Sequence, residues 1–169
     1  EEARNMVPSK NLIGTKNFSV MNTPTWDFAY GIWQLSELRK DVKKNFATPQ
    51  ALIEASKQGK VKTNDTVRIR GKKTCAGRAL LYSKMSPELQ KVYGDEVLYG
   101  KNMTAKRMKG LLNKIAKTHP GLFTRMADAW KLLGAKNAYE DAWSYGLKDH
   151  KTYSSIRDKH LRDADKKVA

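Results

Sequence analysis

Cysteine is nearly absent from this 169-residue chain: Cys75 is the only one. A lone thiol excludes an internal disulfide and any cysteine-rich zinc site, and it fits a reducing compartment. Long hydrophobic runs are also missing, for no stretch reaches the roughly 18 apolar residues that a membrane helix needs. No signal peptide is visible, since Glu1-Glu2-Ala3-Arg4 has no apolar region behind it. An initiator Met is lacking too, which suggests a processed product or a segment of something longer. There is no glycine-rich phosphate loop, no zinc-protease helix signature and no nucleophile elbow. The histidines are His119, His150 and His160, and none stands at metal-ligand spacing from another His or Cys. Glu140 and Asp141 are adjacent and do not face one another on a helix, while Asp163 and Asp165 read as surface charges. Nothing here makes a self-contained active site, so no catalytic or metal-binding residue is assigned.

Acidic residues are scarce relative to basic ones: 17 Asp and Glu stand against 33 Lys and Arg, a net charge of +16. That balance points to nucleic acid, nucleotides or an acidic partner, or else to a solvated basic surface. Residues 39–78 hold twelve cationic side chains and three acidic ones, a net of nine positive charges. Within them Arg68 and Arg70 alternate with Val67 and Ile69. On a strand, two guanidiniums two residues apart share a face and could hold phosphates, or that face is simply solvated. Apolar residues make up 40% of the chain, enough for an ordinary core. Trp26, Trp33, Trp130 and Trp143 fall in helical patterns and read as core or interface anchors rather than base-stacking platforms.

The fold class expected is α+β, with helices flanking a short antiparallel β element. Val7-Pro8 breaks a first helix, and residues 11–23 read as a loop or short strand. Thr23-Pro24 has the form of a cap followed by proline, predicting a helix over about 24–40; Thr48-Pro49 repeats the signal, and Gly59 ends that helix. The alternation around Val67 and Ile69 gives a strand, Gly71-Lys72-Lys73 a turn, and Thr74 to Ser83 a second strand interrupted at Pro87. If that run is extended, Arg78 shares a face with Ala76 and Leu80 and needs a partner there. Thr104 caps an amphipathic helix carrying Met108, Leu111, Leu112 and Ile115, which Pro120-Gly121 breaks. A longer helix follows through Phe123, Met126, Trp130 and Leu133 to about Tyr145. Ser154 or Ser155 opens a last helix that is polar nearly all round.

Several segments, in order, resemble the largest (β′) subunit of multi-subunit DNA-directed RNA polymerases. They are Glu2-Ala3-Arg4 with Met6 and Asn11-Leu12, Pro24-Thr25-Trp26-Asp27 with Tyr30-Gly31-Ile32, and Ala51-Leu52 through Gly59-Lys60-Val61 to Val67-Arg68-Ile69-Arg70. Thr74-Cys75-Ala76-Gly77-Arg78-Ala79-Leu80-Leu81 is similar to the family's most specific run, and Thr104 to Ile115 and Asp128 with Gly134 and Gly146 follow. Trp26 stands where the family has Gln, and Cys75-Ala76 where it has Thr-Val. Gly134 and Gly146 are farther apart than in the family by about one helical turn. These departures suggest a divergent, viral polymerase.

The resemblance implies a piece of a larger multi-domain subunit: residues 1–90 as a pore-region segment supporting the catalytic barrel, and 91–169 as funnel-region helices. It implies a nucleotidyltransferase whose Mg2+ ligands lie outside this chain, which alone is expected to be inactive and poorly stable. Implied partners are a β-like chain, the remainder of β′, DNA template, RNA and nucleoside triphosphates, in the cytoplasm and without a membrane. Arg68, Arg70, Lys72, Lys73 and Arg78 are candidates for contact with nucleic acid or nucleotide. Asn11, Asp27, Thr74, Gly77 and Asp128 are family-motif residues expected to be structural. For Arg78, a backbone carbonyl, a carboxylate or a phosphate would each suit the planar fork. A stand-alone basic nucleic-acid-binding protein, or a viral structural protein, explains the charge but not the ordered series of motifs.

Overall fold

Hydroxyl side chains followed by helix-forming runs set three of the helix starts. The computed structural model describes residues 11, 13–14, 19–21, 23–141 and 154–168. Their order is α1 (Trp26–Ser36), β1 (Asp41–Phe46), α2 (Pro49–Lys57), β2 (Thr66–Ile69), β3 (Lys72–Thr74), α3 (Ala76–Ser83), α4 (Pro87–Tyr99), α5 (Ala105–Thr118), α6 (Pro120–Asp141) and α7 (Ser154–Val168). Thr48, Ser86 and Thr104 each accept a hydrogen bond from the backbone N–H three residues on, at 3.2, 3.4 and 3.4 Å, which satisfies an otherwise orphaned donor. Val7-Pro8, Glu2-Ala3-Arg4, Met6, Leu12, Trp143, Gly146 and His150 lie outside the described residues.

Among the described residues the arrangement is α+β, with seven helices and a three-stranded sheet in the order β1-β2-β3. An antiparallel β element is present as expected, but β2 pairs with β3, which falls on Lys72-Lys73 where a turn is expected, and β1 joins β2 in parallel through the α2 crossover. The helix expected over about 24–40 ends at Ser36, and β1 has no counterpart among the expected elements. The helix stops at Ser36 because its last carbonyls are taken from outside: Asn64 Nδ2 donates to Gln34 O and Glu37 O at 2.5 and 2.9 Å. The helix also starts at Trp26 behind Thr25, two residues later than the Thr23-Pro24 signal suggested.

Two further expectations are corrected. Residues 76–83 are a helix, not a strand. The run is short and apolar on nearly every side, so period alone does not separate the two; the tertiary slot beside α1 decides. Pro87 does not interrupt the chain but opens α4 at its first position, capped by Ser86, with Leu89 and Val97 on the buried side.

Two apolar cores result. One joins α1, α3, α4, α5 and α6 around Leu35, Leu81, Leu112, Phe123 and Trp130. The other lies under the sheet, with Leu52, Ile53, Val67, Ile69, Ala79 and Leu98. Trp130 is fully buried and donates Nε1–H to Leu81 O at 3.0 Å, whereas Trp26 is 88% exposed and belongs to neither core. α1 and α6 cross at Gly31 and Gly134, where a Cβ on either glycine would overlap the other helix's backbone carbonyl.

Candidate nucleic-acid interface

The hairpin is where the sequence pattern and the charge meet. Val67 and Ile69 point into the sheet core, which leaves Arg68 on the opposite face of β2. Lys73 pairs with Arg68 across the antiparallel ladder, so the two cations stand side by side. Asp41 of β1 sits between them. Its carboxylate accepts from Arg68 Nη1 and Nη2 at 3.3 and 3.1 Å, and Lys73 Nζ lies 3.6 Å away. The Lys43 backbone N–H, then Arg68 and Lys73, hold the Asp41 carboxyl below its ordinary value.

Arg70 is not on the strand. It forms the two-residue turn with Gly71, both at positive φ (51° and 80°), the signature of a type I′ hairpin. The expected shared face of Arg68 and Arg70 is therefore absent, because the strand ends at Ile69. Lys72 faces the other side from Lys73. Its ammonium lies 3.1 Å from Asp95 Oδ2 and 4.9 Å from the centre of the Tyr99 ring. Burial raises the Tyr99 phenol above its ordinary pKa and Asp95 adds to this, while Lys72 and Arg70 pull it down. Both cations thus act on one aromatic ring at the hairpin edge. Lys43 and Lys44 of β1 are exposed on the same small sheet.

Arg78 sits elsewhere, in α3, only 2% exposed. Nε donates to Ser36 O at 2.7 Å, Nη1 to Gly100 O at 2.6 Å and Nη2 to Asn102 Oδ1 at 3.1 Å. Ser36 Oγ in turn accepts from Met103 N at 2.6 Å. Burial lowers the Arg78 pKa, the Cys75 sulfur opposing and Arg107 adding, though a guanidinium stays charged. The extended-run argument that put Arg78 beside Ala76 and Leu80 does not apply on a helix.

The whole Thr74-Cys75-Ala76-Gly77-Arg78 run is buried and knots three elements together. Thr74 Oγ1 donates to Leu98 O at 2.8 Å at the end of α4, and Cys75 Sγ lies 3.3 Å from Leu35 O in α1. Gly77 lets α3 touch the α1 backbone: a Cβ there would overlap the Leu35 carbonyl. Its N–H donates to Thr63 O at 3.0 Å. Asp27 is exposed in the first turn of α1, where a carboxylate suits the helix dipole. Asp128 is exposed midway along α6, and Asn11 is exposed ahead of the Ile13–Val20 bridge. Asn64, which sequence reasoning missed, ties the loop before β2 to the end of α1; an Asn-Asp pair reads only as a turn.

Among the described residues no three His, Cys, Asp or Glu are placed to hold a metal ion, and no helix is long and apolar enough to cross a membrane. No family model matches the chain. Over 91 residues it is 30% identical to the DNA-directed RNA polymerase subunit beta' of Thermus thermophilus. That stretch is 52% of this chain and 6% of that subunit, so the chain spans only a small part of its relative's length.

Proposed function

We propose that this chain is a segment of the β′-like subunit of a DNA-directed RNA polymerase, one that borders the nucleotide-entry channel and braces the active centre. The observation that carries the reading is the 91-residue similarity to a β′ subunit. In this reading residues 1–90 are the pore-region segment and 91–169 the funnel-region helices. The partners are a β-like chain, the rest of β′, DNA template, RNA and nucleoside triphosphates, in a cytoplasmic, virus-encoded enzyme.

The described residues do not fit the catalytic Mg2+ of such an enzyme, since no acidic cluster is placed to hold it. What this chain's own residues do is therefore electrostatic and structural. Arg68, Arg70, Lys72 and Lys73 form a cationic hairpin whose outer face and tip are open to anions. Cations lining a channel raise the local concentration of phosphates and speed their entry. Arg78 is set apart from that group, because its three donors are satisfied inside the protein. It supports the site by tying α3 to the ends of α1 and α4.

The test is purification of the tagged chain from its natural source. A β-like chain and Mg2+-dependent, templated RNA synthesis should co-elute with it; a preparation free of both overturns the reading. The net charge of +16 favours one rival, a stand-alone nucleic-acid binder. That protein would bind single-stranded RNA by itself, with log K falling by about 0.7 per phosphate contact per log unit of salt.

A further inference from the structure

A second cationic surface lies away from the hairpin, and its floor is apolar. A cleft of about 500 Å³ opens between α2, α3 and α6 over Leu35, Ile53, Leu80 and Leu133, with Lys57, Lys84 and Lys136 at its rim. A neighbouring cleft of about 450 Å³ is floored by Met85, Leu122 and Met126 and carries Lys84 and Arg125. Lys84 lines both. Both also use one face of α6: Leu122, Arg125, Met126 and Ala129 line the second cleft, and Leu133, Lys136, Asn137 and Glu140 continue it in the first. The steps of three and four residues keep that face continuous. From residue 122 to 140 it runs ~27 Å at the helical rise of ~1.5 Å per residue.

The geometry points to a docking groove for an acidic amphipathic helix of a partner protein. Such a helix lays a stripe of apolar side chains into a groove of this length, and its flanking carboxylates meet the rim. Charge complementarity selects it. Lys57, Lys84 and Arg125 form no ion pair among the described residues, and Lys136 meets only Glu140, at 3.6 Å. Lys57 in the last turn of α2 and Lys84 at the α3 C-cap each offset the carbonyl end of their helix, about half a negative charge apiece. Four cations against Glu140 and two helix ends leave the groove positive. Two other occupants fit less well. Single-stranded nucleic acid stacks its bases on aromatic rings, and among the described residues no aromatic side chain lines either cleft. A second copy of this chain brings +16 of its own.

The inference does not depend on the polymerase reading, and its test uses the whole 169-residue chain. The probe is a fluorescein-labelled 18-residue peptide with Leu on one helical stripe and Glu elsewhere. Fluorescence anisotropy should show saturable binding that weakens with salt. Lys84→Glu with Arg125→Glu should weaken it at least tenfold, while Lys72→Glu with Lys73→Glu leaves it unchanged; circular dichroism would check that each variant keeps its helices. Three results overturn the proposal. They are no binding of the peptide, equal binding of the same peptide with Lys in place of Glu, and oligo-uridine binding that disappears with the Lys84→Glu and Arg125→Glu pair.

Discussion

The helical core and the sheet core are built to different standards. The helical core packs Trp130, Phe123, Leu112 and their neighbours from five helices. The sheet core is smaller and is bordered by the half-buried Val42 and Phe46. Yet the charge is distributed the other way. Residues 39–78, around the small core, carry nine net positive charges, whereas residues 79–141, although more numerous, carry eleven cations and six acids, a net of five. A short strand pair needs only one apolar face, so its other face is free to hold arginines and lysines. A helix buried among four others is not. The cationic hairpin is thus displayed by the part of the molecule that is cheapest to leave half-exposed, and it relies on the helical part for rigidity.

The link between the two parts is Arg78, and its removal should have the largest effect. Arg78→Ala withdraws a charged donor from Ser36 O, Gly100 O and Asn102 Oδ1 at once. Hydrogen bonds from charged groups contribute about 1.5–3 kcal/mol each and do not add fully, so a loss of ~5 kcal/mol is expected. Arg78→Lys, which cannot reach three diverging acceptors, should recover about half of that. Urea unfolding followed by circular dichroism would measure both. Equal stability of Arg78→Ala and the parent would mean that the two cores do not depend on this clasp.

Matched truncations come next. Leu112 and Leu52 are both fully buried, one in each core. Leu→Ala costs about 2–5 kcal/mol, depending on how far the surroundings collapse into the space. Leu112, enclosed by helices, should cost ~4 kcal/mol, and Leu52, beside half-exposed neighbours, ~2–3 kcal/mol. A larger loss at Leu52 would reverse the comparison.

These differences also mark what was legible beforehand. The α5 helix, with its Thr104 cap and the Met108, Leu111, Leu112, Ile115 stripe, could be read because an amphipathic surface helix writes its period into the sequence. β2 was legible for the same reason at period two, through Val67 and Ile69, whereas β3 lies on residues that read as the turn. α3 was not: nearly every position from Cys75 to Leu81 is buried, and full burial erases the period. β1 was hidden because four of its six side chains are exposed and the two half-buried ones, Val42 and Phe46, stand four residues apart rather than alternating. For the site, the cationic residues were evident but their grouping was not. Whether Arg70 lies on the strand or in the turn depends on where pairing stops, and Arg78 left the group because its segment is a helix. Asn64 gave no signal, since a capping contact between residues 30 apart is made only by the fold.

Arg70 tests the hairpin on its own. A non-glycine residue at φ 51° is strained by roughly 1–2 kcal/mol, part of which glycine returns as extra freedom in the unfolded chain. Arg70→Gly should therefore stabilise the protein by ~0.5–1 kcal/mol in thermal unfolding. It should also weaken binding of a single-stranded oligonucleotide and make the salt slope shallower by about 0.7, one contact's worth. Gain of stability with unchanged binding would leave the arginine without a role at the tip.

The smallest effect expected is at Asp41, and it separates the outer face of the hairpin from its edge. The folded-state pKa of Asp41 lies below its ordinary 3.8, chiefly through the Lys43 backbone N–H and then through Arg68 and Lys73. A depressed carboxylate contributes stability above the unfolded-state pKa and loses it as pH falls through the folded value. The window therefore opens below 3.8 and leaves neutral pH untouched. A carbon-detected NMR titration should place the Asp41 midpoint below 3.8. Arg68→Gln should move it partway back, because the backbone donor remains, and Lys73→Gln should move it less, its ammonium being farther away at 3.6 Å. At neutral pH, Asp41→Asn frees both cations without adding one. Oligonucleotide binding should then rise only slightly, as screened surface pairs are weak, and the Lys72 and Tyr99 side of the hairpin should be unaffected. A midpoint unmoved by Arg68→Gln and by Lys73→Gln would show that both cations are turned to solvent rather than to Asp41. The outer face would then be the more available of the two to a phosphate chain.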